Sequence, residues 1–247
     1  MIKKEYDPYH LLLDSRLKNE EVRNTPYVYN NIREVLSDKA LRGAAVGHPV
    51  TISIAPGVYW LENPQSDEVI VREDPEDLYP YGCKVTCGNL RLVGLSENAE
   101  DVVIAANRGN DHGAKGNYTL FHFSGEQLEM ENLTLGNYCC VDLEYALDPA
   151  LSVKKRTEAI TQAQLADTDA DKFYAKNCRF VSRLNLYPVC GAGRSLYEKC
   201  HFEQTDDALN GNAVYLNCDF DFYSGMPIYQ ASGTGVVFLN CTFHCKY

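Results

Sequence analysis

The chain has 247 residues, of which 45% are hydrophobic and 23% are charged, and these proportions are typical of one globular domain with its own core. No run of about 18 apolar residues occurs, which excludes a membrane-spanning helix. The net charge of −11 argues against a nucleic-acid-binding surface. We expect no secretory signal in these residues, because no apolar segment follows the basic start; as written, the sequence would be cytoplasmic, and its compartment stays open.

The first half of the sequence predicts an N-terminal extension, a helix and then a series of strands. Residues 1–24 are interpreted as the extension, because Thr25 and Pro26 are typical of the N-cap and first turn of a helix. This helix is expected to end near Gly43. Its buried face is expected to contain Val28, Ile32, Val35 and Leu36. Alternating apolar residues then predict strands at 50–55, 90–94, 102–105, 118–123 and 128–135.

The segment at about 137–165 interrupts this series of strands. It contains Ala-Leu-Asp-Pro at 146–149 and Val-Lys-Lys-Arg-Thr-Glu-Ala-Ile at 153–160, and we interpret it as an insertion with a short helix that projects from the regular body. Loops of this length are more often functional or mobile than structural.

Four segments near the C-terminal end share the pattern of a polar residue, Cys, any residue and Phe. Their cysteines, at 178, 200, 218 and 241, are 22, 18 and 23 residues apart. A period near 20 with short strands predicts a solenoid, in which equivalent residues stack about 4.8 Å apart. Each Cys would then be a small buried residue and each Phe would point to the same face. The Asn that usually precedes the Cys would take a tight corner in the left-handed backbone conformation.

The ten cysteines leave a second interpretation open. Cys83 with Cys87, the adjacent pair at 139–140, and Cys241 with Cys245 could also belong to disulfides or to a metal site. The cysteines lack the two-residue spacing of zinc motifs, and the six histidines are scattered. We therefore favour packing, and we expect neither a metal nor a cofactor.

Several motifs, taken in their order, resemble pectinesterases. Residues 54–62, Ile-Ala-Pro-Gly-Val-Tyr-Trp-Leu-Glu, are similar to the Pro-Gly-x-Tyr-x-Glu motif of that family. Gln162 and Ala163 are similar to its Gln-Ala segment, and the stretches 173–187 and 205–213 follow in the family's order.

The resemblance covers roughly residues 26–243 and implies an all-β protein. The expected fold is a right-handed parallel β-helix of the pectin-lyase kind, with coils of about 18–23 residues and an N-terminal capping α-helix. A single domain would occupy residues 25–247.

The resemblance also implies a carboxylic ester hydrolase that acts on pectic or other plant polysaccharide. Asp207 takes the place of the nucleophilic aspartate, and Gln162 that of a glutamine in the oxyanion hole. Asp206 could share the catalytic work only if the chain turns there, because neighbours in a strand face opposite sides. The residues expected to bind substrate are Arg183, Tyr187, Gln164 and His201. Neither a nucleic acid nor a membrane is expected as a partner.

Two departures from the family keep other functions open. Leu184 stands where the family has its general acid–base aspartate, and leucine cannot transfer a proton. The family's later Gly-Arg-Pro-Trp segment is missing, and we expect further coils or a partner to cover the C-terminal end. The alternatives are a β-helix glycoside hydrolase, with Asp206, Asp207 and Glu203 as its acids, and a catalytically degenerate carbohydrate-binding module.

Overall fold

The computed structural model describes residues 6–42, 47–184, 186 and 188–247, and its long strands form three parallel sheets. In the middle of the chain, successive strands enter the second, the first and the third sheet in turn, so that each coil adds one strand to each sheet. This architecture is the predicted parallel β-helix.

The three sheets contain nine, four and seven strands, respectively. The first sheet contains β2 (Val28–Tyr29), β1 (His10–Leu13), β3 (Val50–Ile54), β6 (Asn89–Gly94), β11 (Gln127–Glu131), β14 (Lys172–Lys176), β17 (Arg194–Glu198), β19 (Leu209–Leu216) and β21 (Ile228–Leu239), in that spatial order. The second contains β16 (Val189–Cys190), β13 (Ala163–Thr168), β10 (Tyr118–Ser124) and β5 (Tyr81–Thr86). The third contains β22 (Thr242–Cys245), β20 (Asp219–Phe222), β18 (His201–Gln204), β15 (Arg179–Ser182), β12 (Thr134–Asn137), β7 (Val102–Ala106) and β4 (Gly57–Trp60). A small separate ladder joins β8 (Gly109–Asn110) to β9 (Gly113–Ala114).

Helices are short throughout the described residues. They are α1 (Asn19–Asn24), α2 (Ile32–Leu36) and α3 (Lys39–Arg42), with 3₁₀ turns at Ala99–Asp101 and Pro149–Leu151. No helix within the described ranges is long and apolar enough to cross a membrane.

The predicted start of the capping helix at Thr25 and Pro26 is wrong. Residues 28–29 form β2 by pairing with β1, and this tertiary pairing overrides the local helix signal. The helix α2 instead begins after Asn31, whose side-chain oxygen accepts the backbone N–H of Arg33 at 2.9 Å. Its buried residues are Ile32, Val35 and Leu36, as expected. The predicted end at Gly43 lies outside the described residues.

The segment assigned to an N-terminal extension contributes a strand to the body. In the first sheet, β1 lies between β2 and β3, and Leu11 and Leu13 are fully buried in the core. The sequence does not predict this strand, because a segment of four residues is too short to show a clear alternation of apolar and polar side chains.

The repeated cysteine and phenylalanine pattern builds the interior of the later coils, as predicted. Cys178, Cys200 and Cys218 are buried thiols in the main core. The cysteines of the alternative disulfide pairs, at 83, 87, 139, 140, 241 and 245, are thiols as well. Phe202 stacks between Phe180 and Phe220, with ring centres 5.0 and 4.8 Å away. Stacked aromatic rings of this kind add to the stabilisation from burial.

The corners before these cysteines adopt the left-handed backbone conformation, which confirms the role predicted for the asparagines. The φ angles lie between 49° and 57° at Asn132, Asn177, Lys199, Asn217 and Asn240. Asparagine tolerates this conformation better than most residues.

The insertion folds back onto the third sheet, so the predicted projecting helical segment is wrong. Within the described part of 137–165 the only helical turn is the 3₁₀ turn at Pro149–Leu151, and Val153 pairs in antiparallel fashion with Leu143. Leu143 and Tyr145 form a second small core with Val103 and Val181. Burial of these apolar side chains explains why the segment lies flat.

Candidate functional site

A cleft lies between the insertion and the outer face of the third sheet. It has a volume of about 980 Å³ and is open to solvent. It is lined by residues 138, 140–146, 149 and 152–155 of the insertion, by Glu100, and by the outward side chains of Arg179, Val181, Arg183 and Glu203. A concave site lined by both a loop and a rigid sheet is the usual setting for ligand binding.

Four charged side chains in this cleft form one ion-pair network, in which Arg179 also contacts the Glu100 carboxylate. Arg179 Nη2 donates to Glu203 Oε1 at 2.8 Å, and Arg183 Nε donates to Glu203 Oε2 at 2.7 Å. Glu203 retains only 8% of its surface. The register explains the contact, because Val181 of β15 lies opposite Glu203 of β18, and the two arginines flank Val181 on the same face.

Arg183 also contacts an aromatic ring from the next coil. Its guanidinium carbon lies 3.7 Å from the centre of the Tyr223 ring, and Nη2 donates to the Tyr223 hydroxyl at 2.8 Å. Burial raises the pKa of Tyr223, while Arg183 works against this rise. The guanidinium is therefore fixed by a carboxylate on one side and by a ring on the other.

Asp206 and Asp207 occupy the corner that directly follows β18. Asp207 has a φ of 53°, and its backbone N–H donates to the carbonyl of Met226 at 3.0 Å. The Asp206 carboxylate accepts a hydrogen bond from the Ser224 hydroxyl. Both side chains are half-buried, and neither lines the cleft, which ends at Glu203. The chain turns at this corner, so strand alternation does not separate the two carboxylates.

The two glutamines of the predicted site stand immediately before β13 and within it. Gln162 is exposed, and its backbone carbonyl accepts the N–H of Asn110 at 3.0 Å. Gln164 lies on β13 in the second sheet, and its side chain is fully buried. Its Nε2 has no hydrogen-bond partner in the part of the chain that the structure describes. The prediction that Gln164 binds substrate is therefore wrong for this conformation, because the side chain cannot reach the surface.

The remaining predicted positions have different surroundings. Leu184, which stands at the family's acid position, is fully buried in the main core. His201 is half-buried on the outer face of the third sheet, where its Nδ1 contacts the Asp219 carboxylate. Tyr187 lies outside the described residues. Within the described ranges, no group of three or more His, Cys, Asp or Glu side chains could hold a metal ion.

Arg179, which lines the cleft, and Tyr223, which contacts Arg183, were absent from the predicted site. They lie next to the buried Phe180 and Phe222, so alternation alone would have placed them on the outer face. The sequence carried no signal that the insertion folds over this face.

Comparisons with known proteins identify the architecture. No protein-family model and no curated protein matches the sequence. Among solved structures, a mutant pectin methylesterase in complex with a hexasaccharide matches with a TM-score of 0.62 and 20% identity, over 98% of this chain and 67% of that one. YbhC of Escherichia coli matches with a TM-score of 0.60 and 15% identity, over 100% and 66% of the two chains.

An animal enzyme shows the same similarity. The rice weevil pectin methylesterase matches with a TM-score of 0.57 and 16% identity, over 91% of this chain and 64% of that one. The chain thus spans about two-thirds of the length of these structures. On this evidence the chain has the parallel β-helix fold of the pectin methylesterases.

Proposed function

We propose that this protein is a divergent, pectinesterase-like carbohydrate esterase that acts on a methylated pectic polysaccharide. The fold supports this proposal, as does the order of the motifs around Gln162, Arg183 and Asp207. One matching structure is a pectin methylesterase in complex with a hexasaccharide, which supports an oligosaccharide or polysaccharide as the substrate.

The observation that carries the proposal is the turn at Asp207. Because its backbone is left-handed (φ 53°), Asp206 and Asp207 leave the strand at one corner. In the proposed reaction Asp207 attacks the ester carbonyl, and Asp206 donates a proton to the departing methoxide, which leaves as methanol. Water then hydrolyses the acyl intermediate and restores both groups.

The third sheet would supply the binding surface next to this corner. Arg183 and Arg179 are positively charged groups on the cleft floor, and a uronate carboxylate is the kind of ligand that guanidinium groups bind. Both arginines already bind Glu203, so an anionic sugar would compete with that carboxylate.

A second candidate function, a carbohydrate-binding module without catalysis, is favoured by two observations. Leu184 is buried at the position where the family has an acid, and Gln164 is buried away from the surface. The glycoside hydrolase alternative gains less support, because each carboxylate oxygen of Glu203 already accepts a hydrogen bond from an arginine.

The test measures methanol and new reducing ends from methylated pectin with the wild-type protein, Asp207→Asn and Asp206→Asn. Asp171→Asn is the matched control. Asp171 is exposed in the turn between β13 and β14, where it forms an ion pair with Arg194. The proposal expects methanol release that is lost in Asp207→Asn and retained in Asp171→Asn. Reducing ends without methanol would indicate a glycoside hydrolase. Saturable binding of pectin without either product would indicate the binding module.

A further inference from the structure

A second group of polar side chains lies on the outer face of the second sheet, apart from the cleft. His122 and Ser124 are two residues apart on β10 and so share one face. Asp167 of β13 is the register partner of His122 on the neighbouring strand. The two strands therefore bring a serine, a histidine and an aspartate together.

The contacts of this group form a chain from the serine through the histidine to the aspartate. His122 Nε2 lies 3.0 Å from Ser124 Oγ, and His122 Nδ1 lies 3.3 Å from Asp167 Oδ2. With the proton on Nδ1 facing the carboxylate, Nε2 presents its lone pair to the serine hydroxyl. Tyr81 donates its hydroxyl to the same Asp167 oxygen at 2.9 Å and holds the carboxylate in place.

We propose that Ser124, His122 and Asp167 form a second reactive site, in which Ser124 is a nucleophile activated by His122. The proposal is independent of the function proposed for the third sheet. The side chains of His122 and Asp167 retain 27% and 20% of their surface, so a small reagent can reach them from solvent. Nucleophile, base and orienting carboxylate stand in the order that acyl transfer requires.

In the proposed step Ser124 Oγ attacks the carbonyl carbon of an ester while its proton passes to His122 Nε2. The carbon–oxygen bond to the leaving alcohol breaks, and the alcohol departs with that proton. A water molecule then attacks the acyl–serine and gives a proton to His122, which returns it to Ser124 as the acid leaves. Asp167 holds the His122 ring in position and stabilises the transient imidazolium.

The surroundings favour a small, uncharged aryl ester. The Tyr81 ring centre lies 5.3 Å from that of His122, and the Tyr79 ring lies 6.2 Å from that of Tyr81 in an edge-on arrangement. These rings form an aromatic wall beside the histidine, against which an aryl leaving group can pack.

The test uses two probes, a fluorophosphonate that labels activated serines and p-nitrophenyl acetate. Mass spectrometry of the labelled wild-type protein locates the adduct. We expect it on Ser124, with label and p-nitrophenol release reduced at least about 10-fold in Ser124→Ala and His122→Gln. Asp167→Asn should also reduce both, and Ser37→Ala, which lies outside this group and outside the cleft, should leave both unchanged.

Ser37 is the matched control. It is exposed, and its hydroxyl donates to the backbone carbonyl of Glu34 at 3.0 Å without contacting a histidine. An adduct on Ser37 equal to that on Ser124 would overturn the proposal, as would labelling of Ser124 that persists in His122→Gln. Circular dichroism of each variant separates loss of reactivity from loss of fold, and the adduct site in the wild-type protein decides the question without any variant.

Discussion

Asn177 donates its side-chain amide to the side-chain oxygen of Asn132 in the neighbouring coil, with 2.8 Å between Nδ2 and Oδ1. Asn240 makes the same contact with Asn217. The corner between these two pairs holds Lys199, which has the same left-handed backbone but no amide. The ladder of asparagines is therefore interrupted at one exposed position.

The first prediction is that Lys199→Asn stabilises the protein. Asparagine tolerates a φ of 53° better than lysine does, and its amide can bond to Asn177 and Asn217. We expect a gain of about 1 kcal/mol, which corresponds to a rise in Tm of about 2–4 °C for a chain of this size. Thermal unfolding followed by circular dichroism measures it. Lys199→Ala is the control. A Tm of Lys199→Asn that is equal to or lower than that of the wild type would contradict a stabilising role of the asparagine ladder.

The second prediction concerns the stack of phenylalanine rings. Phe202 is fully buried between two rings, whereas Phe243 at the last coil is 46% exposed. Phe202→Ala should lower the free energy of unfolding by about 3–5 kcal/mol, because it leaves a cavity in the core. Phe243→Ala should cost clearly less. Urea denaturation compares the two, and equal losses would show that the stack does not hold the coils together.

The repeat made this part of the fold predictable. Because each coil uses the same Cys-x-Phe segment, the spacing of the cysteines predicts which strands stack and which side chains face inward. The asparagine corners follow from the backbone preference of that one residue type. The start of the fold was less predictable, since β1 has no repeat partner in sequence and pairs only through tertiary contacts with β2 and β3.

The site was only partly predictable, for a related reason. Glu203 belongs to a regular strand and Arg183 directly follows one, and alternation places both outward. The insertion packs on this face through Leu143 and Tyr145 and so encloses both side chains in one cleft. Irregular segments carry no periodic signal, and therefore the sequence did not predict this packing. Gln164 was misjudged because every residue of β13 except Asp167 is buried, and such a strand does not show in sequence which side faces solvent.

The third prediction concerns the pH dependence of stability through Glu62. Burial raises the pKa of this carboxyl, although Tyr118 donates to both of its oxygens and Arg33 forms an ion pair with it. The native state therefore keeps the Glu62 proton to a higher pH than the unfolded chain does. This contribution to stability is present at low pH and is lost as the pH rises through the native pKa.

The measurement is the free energy of unfolding of the wild type and Glu62→Gln across about pH 2 to about pH 7. The wild type should lose stability relative to Glu62→Gln as the pH rises. Asp14→Asn should show the opposite sign, because hydrogen bonds from Arg16 lower the pKa of Asp14 in the native state. If both variants change in the same direction, the interpretation of Glu62 is wrong.

The fourth prediction is that Glu203 holds the cleft floor together. Glu203→Gln should leave Arg183 without a counter-charge in a partly buried position, and should leave Arg179 with Glu100 as its remaining partner. We expect a loss of about 2–3 kcal/mol, less than for a fully buried pair, because both arginines keep more than a quarter of their side chains exposed (27% and 29%). Asp171→Asn, which breaks an exposed pair, should cost clearly less.

A double-mutant cycle separates this ion-pair network from simple packing. Arg183→Ala removes both the Glu203 contact and the stacking on Tyr223, so its loss combined with Glu203→Gln should be smaller than the sum of the two single losses. Strict additivity would mean that the two side chains stabilise the sheet independently. In that case the cleft floor would be no more than two neighbouring polar residues, and an anionic sugar would have no network to displace.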